Sequence, residues 1–396
     1  MPRGIHRILQ DMKIIGLPTH GGVSIEIGDR SIRFVEIAPK ERGAHVMRFG
    51  ELPLAAGIVE SGMIVDPLRL ETALKDLRRT FGVTTARGLL PHGHVIHLRV
   101  RLPEGGARTA DALARSLAIH TGGEVEDIVS HTSRTLRLPE ATEIIAAVTS
   151  RAVSESHAKA YTSAGIQLYS LESKTEALIR ALAADMGAKT VLVIDVEHTM
   201  TAFFVVDAES GGNVSVAVFG TDMIDQTIAD RFGVSRAGAA EMRSTIGFVR
   251  TPESEVLADT LAPHARALCD AIRRVFLERH TGRGEDVSKV DEIVLTGVGA
   301  TIPGLAEYIS ASMRLPVRVG ALADTAVVVP VIPRSITPAY LSLIGLGQSP
   351  HQHGRLLTNA ALRRFMTAKR IHTAVVTLLV GAIATLLVFI VWLGTQ

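Results

Sequence analysis

Asp291–Leu305 reads DEIVLTGVGATIPGL. A β-rich run, a glycine turn and a proline before a new apolar pattern predict strand, tight turn and helix, with Pro303 in the helix's first turn. Gly297 and Gly299 have no side chains and let the backbone approach a ligand closely. The segment is not a dinucleotide fingerprint, which needs glycine three residues after Gly299, where Ile302 stands. No GxxxxGK[ST], HExxH, CxxC or GxSxG occurs in the chain, so phosphate-loop, zincin, dithiol and serine-hydrolase chemistries lack their usual signatures.

Upstream lie two segments of one design. Val191–Asp207 is VLVIDVEHTMTAFFVVD and Val23–Ile37 is VSIEIGDRSIRFVEI. Each is a β-rich run, a short polar turn and a second β-rich run, which reads as a hairpin. Each carries a carboxylate near the end of its first strand, Asp195 in one and Glu26 in the other. Such a pair, joined by the strand-turn-helix segment, implies two related subdomains around a cleft. Turn amides and hydroxyls would hold phosphate from both sides, and a carboxylate would orient water or Mg²⁺. Two unrelated hairpins remain the plainer alternative.

The ordered set resembles the PilM family of type IV pilus assembly proteins, within the actin-like ATPase superfamily that also holds FtsA. EIGDRSIRFVEI is similar to the family's first phosphate hairpin, PHGHVIHLRVRLP to the strand opening its inserted subdomain, and IDVEHTMTAFFVV to its second phosphate hairpin. FGTDMIDQTIADRFGVSRAGAAEMRSTIG resembles the helical cap, and LTGVGATIPGLAEYISASMRLPVRV the adenosine-binding segment. The resemblance implies an actin-like α/β fold over residues 22–347 with an inserted α/β subdomain at about 91–170. It implies a nucleotide site at Gly28, Ser31, Arg33, Asp195, Thr199, Glu241, Arg243, Gly297 and Gly299, with Glu26 and Asp195 for Mg²⁺ only if nucleotide binds.

The chain departs from that pattern. Glu26 stands where Asp is usual and Arg33 where Lys is usual, which keeps the charge but changes its geometry. Val298 replaces the middle glycine of the adenosine turn. Glu197 replaces a glycine of the second hairpin and adds bulk and negative charge beside the phosphates. Arg243 is the best basic partner for Glu241, but out of register by about one position. The expectation is a retained fold with an eroded site, in which ATP with Mg²⁺ is at most a conformational ligand, and no catalytic residue is assigned. An active actin-like ATPase remains the enzyme alternative; it requires Glu197 to turn outward.

Ile371–Leu393 is an uncharged run, IHTAVVTLLVGAIATLLVFIVWL, preceded by Arg363, Arg364, Lys369 and Arg370. About 20 residues span a bilayer core, so the expectation is one transmembrane helix over 371–393 after a basic linker at 348–370. The positive flank places the large domain in the cytoplasm and the C-terminus outside it, at the inner membrane. Thr373, Thr377, Gly381 and Thr385 recur every fourth residue as a small-residue stripe suited to homodimer pairing. Relatives of the PilM type bind the cytoplasmic tail of a separate partner, PilN, and Gly354–Leu393 resembles such a tail and helix fused to the domain. The layout is also similar to GspL of type II secretion. Both of these carry a periplasmic domain after the helix, so a fragment of a longer product is one expectation. The implied role is a scaffold or coupler of the pilus platform with PilN- and PilO-like partners. A membrane-polymerising division protein, the third reading, would end in an interfacial helix instead.

A net charge of +2 and 4% aromatic residues argue against a nucleic-acid surface. The lone Cys269 suits a reducing compartment. His92, His94 and His97 could ligate metal, but on a strand His97 would face away from the other two. Asp66 and Pro67 predict an ordinary helix start, with Leu70, Leu74, Leu77 and Phe81 on its core face. Asp222 and Asp225 read as helix N-terminal charges rather than catalytic acids.

Overall fold

The computed structural model describes residues 23–39, 44–103, 110–137, 141–187, 189–206, 214–282, 290–322, 327–328, 332–333, 335–349 and 356. Its first half opens with β1 (Val23–Ile27), β2 (Ser31–Pro39) and β3 (Ala44–Pro53). A short ribbon follows, β4 (Val59–Glu60) with β5 (Met63–Ile64), then helix α1 (Pro67–Phe81) and strand β6 (Thr85–Leu90). Helix α1 starts as expected: the Asp66 carboxylate accepts the Arg69 N–H at 3.0 Å, and Leu70, Leu74 and Leu77 are buried.

The next residues form a separate layer: β7 (Ile96–Pro103), α2 (Ala110–Thr121), β8 (Ile128–Arg137) and β9 (Ala141–Ser150). These strands make their own sheet in the order β7-β9-β8. It has its own core of Val100, Leu102, Leu117, Ile144, Ala146 and Val148. The chain then returns through α3 (Arg151–Ser163) and β10 (Gln167–Ser173). Val153, Ala158, Ala160 and Tyr161 of α3 join the first subdomain's core. The insert's own sheet therefore ends at Ser150, and the expected limit of 170 falls inside a strand of the main sheet.

Helix α4 (Lys174–Met186) leads into β11 (Val191–Val196), β12 (Thr201–Val206) and β13 (Val214–Ala217). A helical layer follows, with α5 (Thr221–Phe232), α6 (Arg236–Thr245) and α7 (Glu255–Gly282). The chain closes with β14 (Glu292–Thr296), α8 (Leu305–Met313), β15 (Val317–Val319), β16 (Val327–Val328) and α9 (Leu341–Gly347). Pro303 lies just before α8 rather than within its first turn. Gly304 takes a left-handed conformation, φ 76°, as the helix cap, and the Pro303 carbonyl accepts the Phe248 N–H at 2.7 Å.

The duplication expected from the hairpins is explicit in the strand order. One sheet runs β10-β6-β1-β2-β3-β16 and the other β15-β14-β11-β12-β13. In each, a hairpin and a third strand are antiparallel, and on the other side one strand pairs in parallel with the first strand and a further one in parallel with that neighbour. Strands β1, β11 and β14 are buried along their whole length, as sheets covered on both faces require. Between the sheets, α4 packs on α9. Ala177 shares a core with Val35 and Leu89 of the first sheet. Its neighbour Leu178, with Leu182, packs on Val193 and Phe204 of the second. Helix α4 thus starts at the cleft floor with both sheets against its flanks.

Among the described residues no helix is long and apolar enough to cross a membrane. The 371–393 helix, the stripe at Thr373, Thr377, Gly381 and Thr385, and the linker apart from Gln348, Ser349 and Leu356 lie outside the described residues.

Candidate functional site

Both hairpins deliver their carboxylates to one place, and the first residue of α4 stands between them. The Lys174 ammonium lies 2.7 Å from Glu26 Oε1, 2.8 Å from Asp195 Oδ2 and 2.6 Å from Glu197 Oε1. Its side chain is only 5% exposed. Burial by itself would lower the lysine's pKa, but Asp195, Glu197 and Glu26 outweigh it and raise it, so the group stays charged. Burial likewise pushes Asp195 up and is overcome, chiefly by Lys174 and then by His92. Asp195 also accepts the Thr296 hydroxyl at 2.8 Å. The carboxylate lies 3.1 Å from His92 Nε2, and His92 Nδ1 lies 2.7 Å from Thr175 Oγ1, so the ring is held from both sides.

Arg33 pairs in register with Glu26 across β1 and β2 and reaches over the cleft. Its Nη2 donates to Glu197 at 2.9 and 3.0 Å and lies 3.2 Å from Glu26. Burial opposes its charge, and Glu197 and Glu26 again prevail. The hairpin tips meet as well. The Asp29 carboxylate accepts from Ser61 N at 3.0 Å, from Gly62 N at 2.8 Å and from the Thr199 hydroxyl. Arg30 Nε donates to Asp222 in the first turn of α5 at 2.7 Å. Asp222 and its neighbour Thr221 donate their N–H groups to the His198 and Glu197 carbonyls at 2.9 and 3.0 Å. A helix N-terminus that could face an anion is thereby occupied by the second hairpin itself.

The result is a cleft bridged by two cations and three carboxylates. Around Glu26, Gly28, Asp29, Lys174, Asp195, Glu197 and Thr199 the free cavity is about 40 Å³. That admits about three or four waters, at roughly 10–15 Å³ each, whereas small-molecule pockets run to about 300–1,000 Å³. A nucleotide triphosphate does not fit these residues as they stand. Glu197 turns inward, onto the cations a phosphate would need, and the ammonium occupies the position between Glu26 and Asp195 expected for Mg²⁺. Among the described residues no group of three or more His, Cys, Asp or Glu is arranged to hold a metal.

The remaining expected site residues divide. Gly28 shapes the first turn, its N–H on the Ser31 carbonyl at 2.9 Å, and Ser31 is buried beside it. Gly297 and Gly299 are needed for close approach, but to β11 rather than to a ligand. A Cβ would lie 2.5 Å from the Val196 carbonyl at Gly297, whose φ is +82°, and 2.4 Å from Val196 Cγ1 at Gly299. Arg243 is not brought to the cluster: it pairs with buried Asp225 of α5 at 2.6 and 3.3 Å. Glu241 is exposed on α6. Two residues apart on one helix, they point to different sides, so the ribose-facing pair expected of them does not form. The three histidines separate too. His92 and His94 lie in a 3₁₀ turn, His94 bonds the Ser61 carbonyl, and only His92 enters the cleft.

Sequence reading missed Lys174, Asp29 and the partnership of His92 with Asp195. One local signal was present for the lysine. A cation as the first residue of a helix opposes the macrodipole, and a residue that breaks a local rule is one held by tertiary contacts.

The profile of one family, type IV pilus assembly protein PilM, matches residues 132–341, more than half of the chain. Among solved structures, a PilM-PilN type IV pilus biogenesis complex is similar at TM-score 0.69 and 17% identity. The match covers 83% of this chain and 98% of that one. The ethanolamine utilization protein EutJ from Carboxydothermus hydrogenoformans is similar at TM-score 0.50 and 12% identity, over 84% and 90% of the two chains. No curated protein matches the sequence. The likenesses agree with the duplicated strand order in giving an actin-like α/β fold.

Proposed function

The chain belongs to the PilM family of type IV pilus assembly proteins, and from that premise we propose that it is a membrane-anchored scaffold of the pilus assembly platform, its cleft held closed by its own ions rather than by nucleotide. The observation that carries this reading is the Lys174 ammonium within 2.6–2.8 Å of three carboxylates from both hairpins. The acids that would orient water or Mg²⁺ are already paired, which favours a rigid platform over a hydrolysing machine. The first partner to expect is a PilN-like inner-membrane protein, since a PilM-PilN complex shares the fold. The uncharged run at 371–393, with Arg363, Arg364, Lys369 and Arg370 before it, supplies the anchor and keeps the folded part on the cytoplasmic side.

Calorimetric titration of the detergent-solubilised chain with Mg·ATP tests the cleft. The native protein should bind weakly or not at all and should not turn over. Glu197→Gly removes one negative charge beside Arg33 and Lys174 and opens space, so binding should strengthen. Robust hydrolysis by the native chain would reverse the reading and make this an enzyme.

A further inference from the structure

A second opening lies outside the ion cluster, between the insert and the second subdomain. It is a groove of about 680 Å³, within the roughly 300–1,000 Å³ of ligand sites. One wall is the start of β7, where Val95, Ile96, His97 and Leu98 line the groove one after another. Successive side chains of a strand point to opposite faces, so an unbroken run of residues lines a groove only along the strand's edge. Strand β7 is such an edge: among the described residues it pairs with β9 alone. The opposite wall has the other pattern. Val214, Val216 and, just past the end of β13, Val218 line it, every second residue and hence one face of that strand. Val214 still packs on the core that α4 shares with the second sheet. Val216 and Val218 carry the same apolar face beyond that core and are 41% and 85% exposed. Two further features define what fits. Among the described residues no Asp, Glu, Lys or Arg lines the groove, so a charge brought into it would lose water without gaining a partner. Buried His97 lines it with neither ring nitrogen partnered among the described residues. A neutral imidazole offers one donor and one acceptor, the complement of a peptide group's carbonyl and amide.

We propose that this groove takes an extended, uncharged, β-branched segment of a partner protein, added as a further strand to the edge of β7 with alternate side chains against Val214, Val216 and Val218. Main-chain bonds to the open edge supply affinity, and the valine wall selects the side chains. β-Branched side chains suit it because they pack well on a pleated surface. The uncharged lining sets the occupant apart from a basic tail, which would leave its charges without partners. The inference does not depend on the pilus assignment or on the state of the ion cluster.

The probe is a short capped peptide alternating threonine and valine, carrying a fluorophore on a flexible spacer. Anisotropy with the full-length chain in nanodiscs should show saturable binding. A counterpart with glutamate in place of each valine should bind at least about tenfold more weakly, since its charges find no partner. Val216→Asp should weaken the uncharged peptide by a similar factor, and Val256→Asp, at a comparably exposed valine of α7, should leave it unchanged. Both valines are exposed, so neither change should unfold the chain. Strand addition has its own readout. Only every second N–H of an added strand faces its neighbour, so methylating one alternate set of peptide amides should abolish binding and methylating the other should not. No saturable binding overturns the proposal, as does binding that Val216→Asp leaves intact. Two methylated peptides that bind alike overturn strand addition. Self-association of the native chain that Val216→Asp abolishes gives the groove to a second copy and overturns the proposal as well.

Discussion

Lys174→Met is the perturbation that the cleft geometry makes most informative. The native cluster sets two cations against three carboxylates, with Lys174 touching all three acids. Methionine keeps most of the stem but leaves Arg33 as the only cation, paired with Glu26 and Glu197. Asp195, 1% exposed, keeps only the His92 and Thr296 hydrogen bonds. Removing one partner of a buried ion pair destabilises by about 3–5 kcal/mol, because the other charge stays buried. Chemical denaturation of the full-length protein at pH 7.5 should show a loss of that order. Lys174→Met with Glu197→Gln restores the native charge balance and should recover at least half of it. The non-additivity between the two changes should exceed about 1 kcal/mol. A divalent cation gives a second readout. The ammonium sits at oxygen distances of 2.6–2.8 Å, nearer the roughly 2.3–2.6 Å of Ca²⁺ than the roughly 2.0–2.1 Å of Mg²⁺. Ca²⁺ should therefore stabilise Lys174→Met, more than Mg²⁺ does, and leave the native protein unchanged. A variant within about 1 kcal/mol of native, with no response to Ca²⁺, refutes the idea that these ions hold the cleft.

Acid should weaken the fold through one buried histidine. Burial lowers the His97 pKa to about 4 from 6.5, and among the described residues neither ring nitrogen has a partner. His97 is therefore neutral in the fold and protonates more readily in the unfolded chain. Its contribution is complete above pH 6.5 and fades toward pH 4, by about 2 kcal/mol at pH 5. His97→Phe should flatten the slope of unfolding free energy between pH 7.5 and 5, and an unchanged slope contradicts this. Gly345 lets α9 meet α4, since a Cβ there would lie 1.9 Å from the Ala177 carbonyl. Gly345→Ala should lower stability by about 3 kcal/mol despite its better helix propensity; an increase in the thermal midpoint would show that the helices do not pack this closely. Deleting Ile371–Gln396 should release the protein from membranes, and persistence in the high-salt membrane pellet would show that the tail is not the anchor.

What could be read in the sequence was what is encoded locally. The hairpins were legible because each needs only its own alternation and turn, and Glu26 and Asp195 stand at equivalent strand positions. Helix α1 was legible from Asp66, Pro67 and the spacing of its leucines. The arrangement inside the cleft was not, because it depends on where distant ends arrive. Lys174 looks like an ordinary polar residue until β10 carries the start of α4 between two carboxylates. Arg243 was the best candidate, out of register by about one position, for the basic partner that the resemblance gives Glu241, whereas α5 packs across α6 and offers Asp225. The expected limit of about 170 came from the resemblance, in which the end of β9, α3 and β10 belong to one return segment. Only the burial of Val153, Ala158 and Tyr161 in the other core separates them.

Glu197 changes what kind of device the cleft is. A free anion that bridges two hairpins closes the cleft only in proportion to its concentration and affinity, and it releases the hairpins when it leaves. Glu197 is fixed to the second hairpin, so its contacts with Arg33 and Lys174 have no concentration dependence and no leaving step. Bound nucleotide could shift such a cleft only by binding the open form far more tightly than the closed one. The closed form, in turn, gains from the Asp29–Thr199 and Arg30–Asp222 contacts at the tips, which opening would break as well. Control by ligand in the cleft is thus unfavourable, and control from elsewhere becomes the economical design.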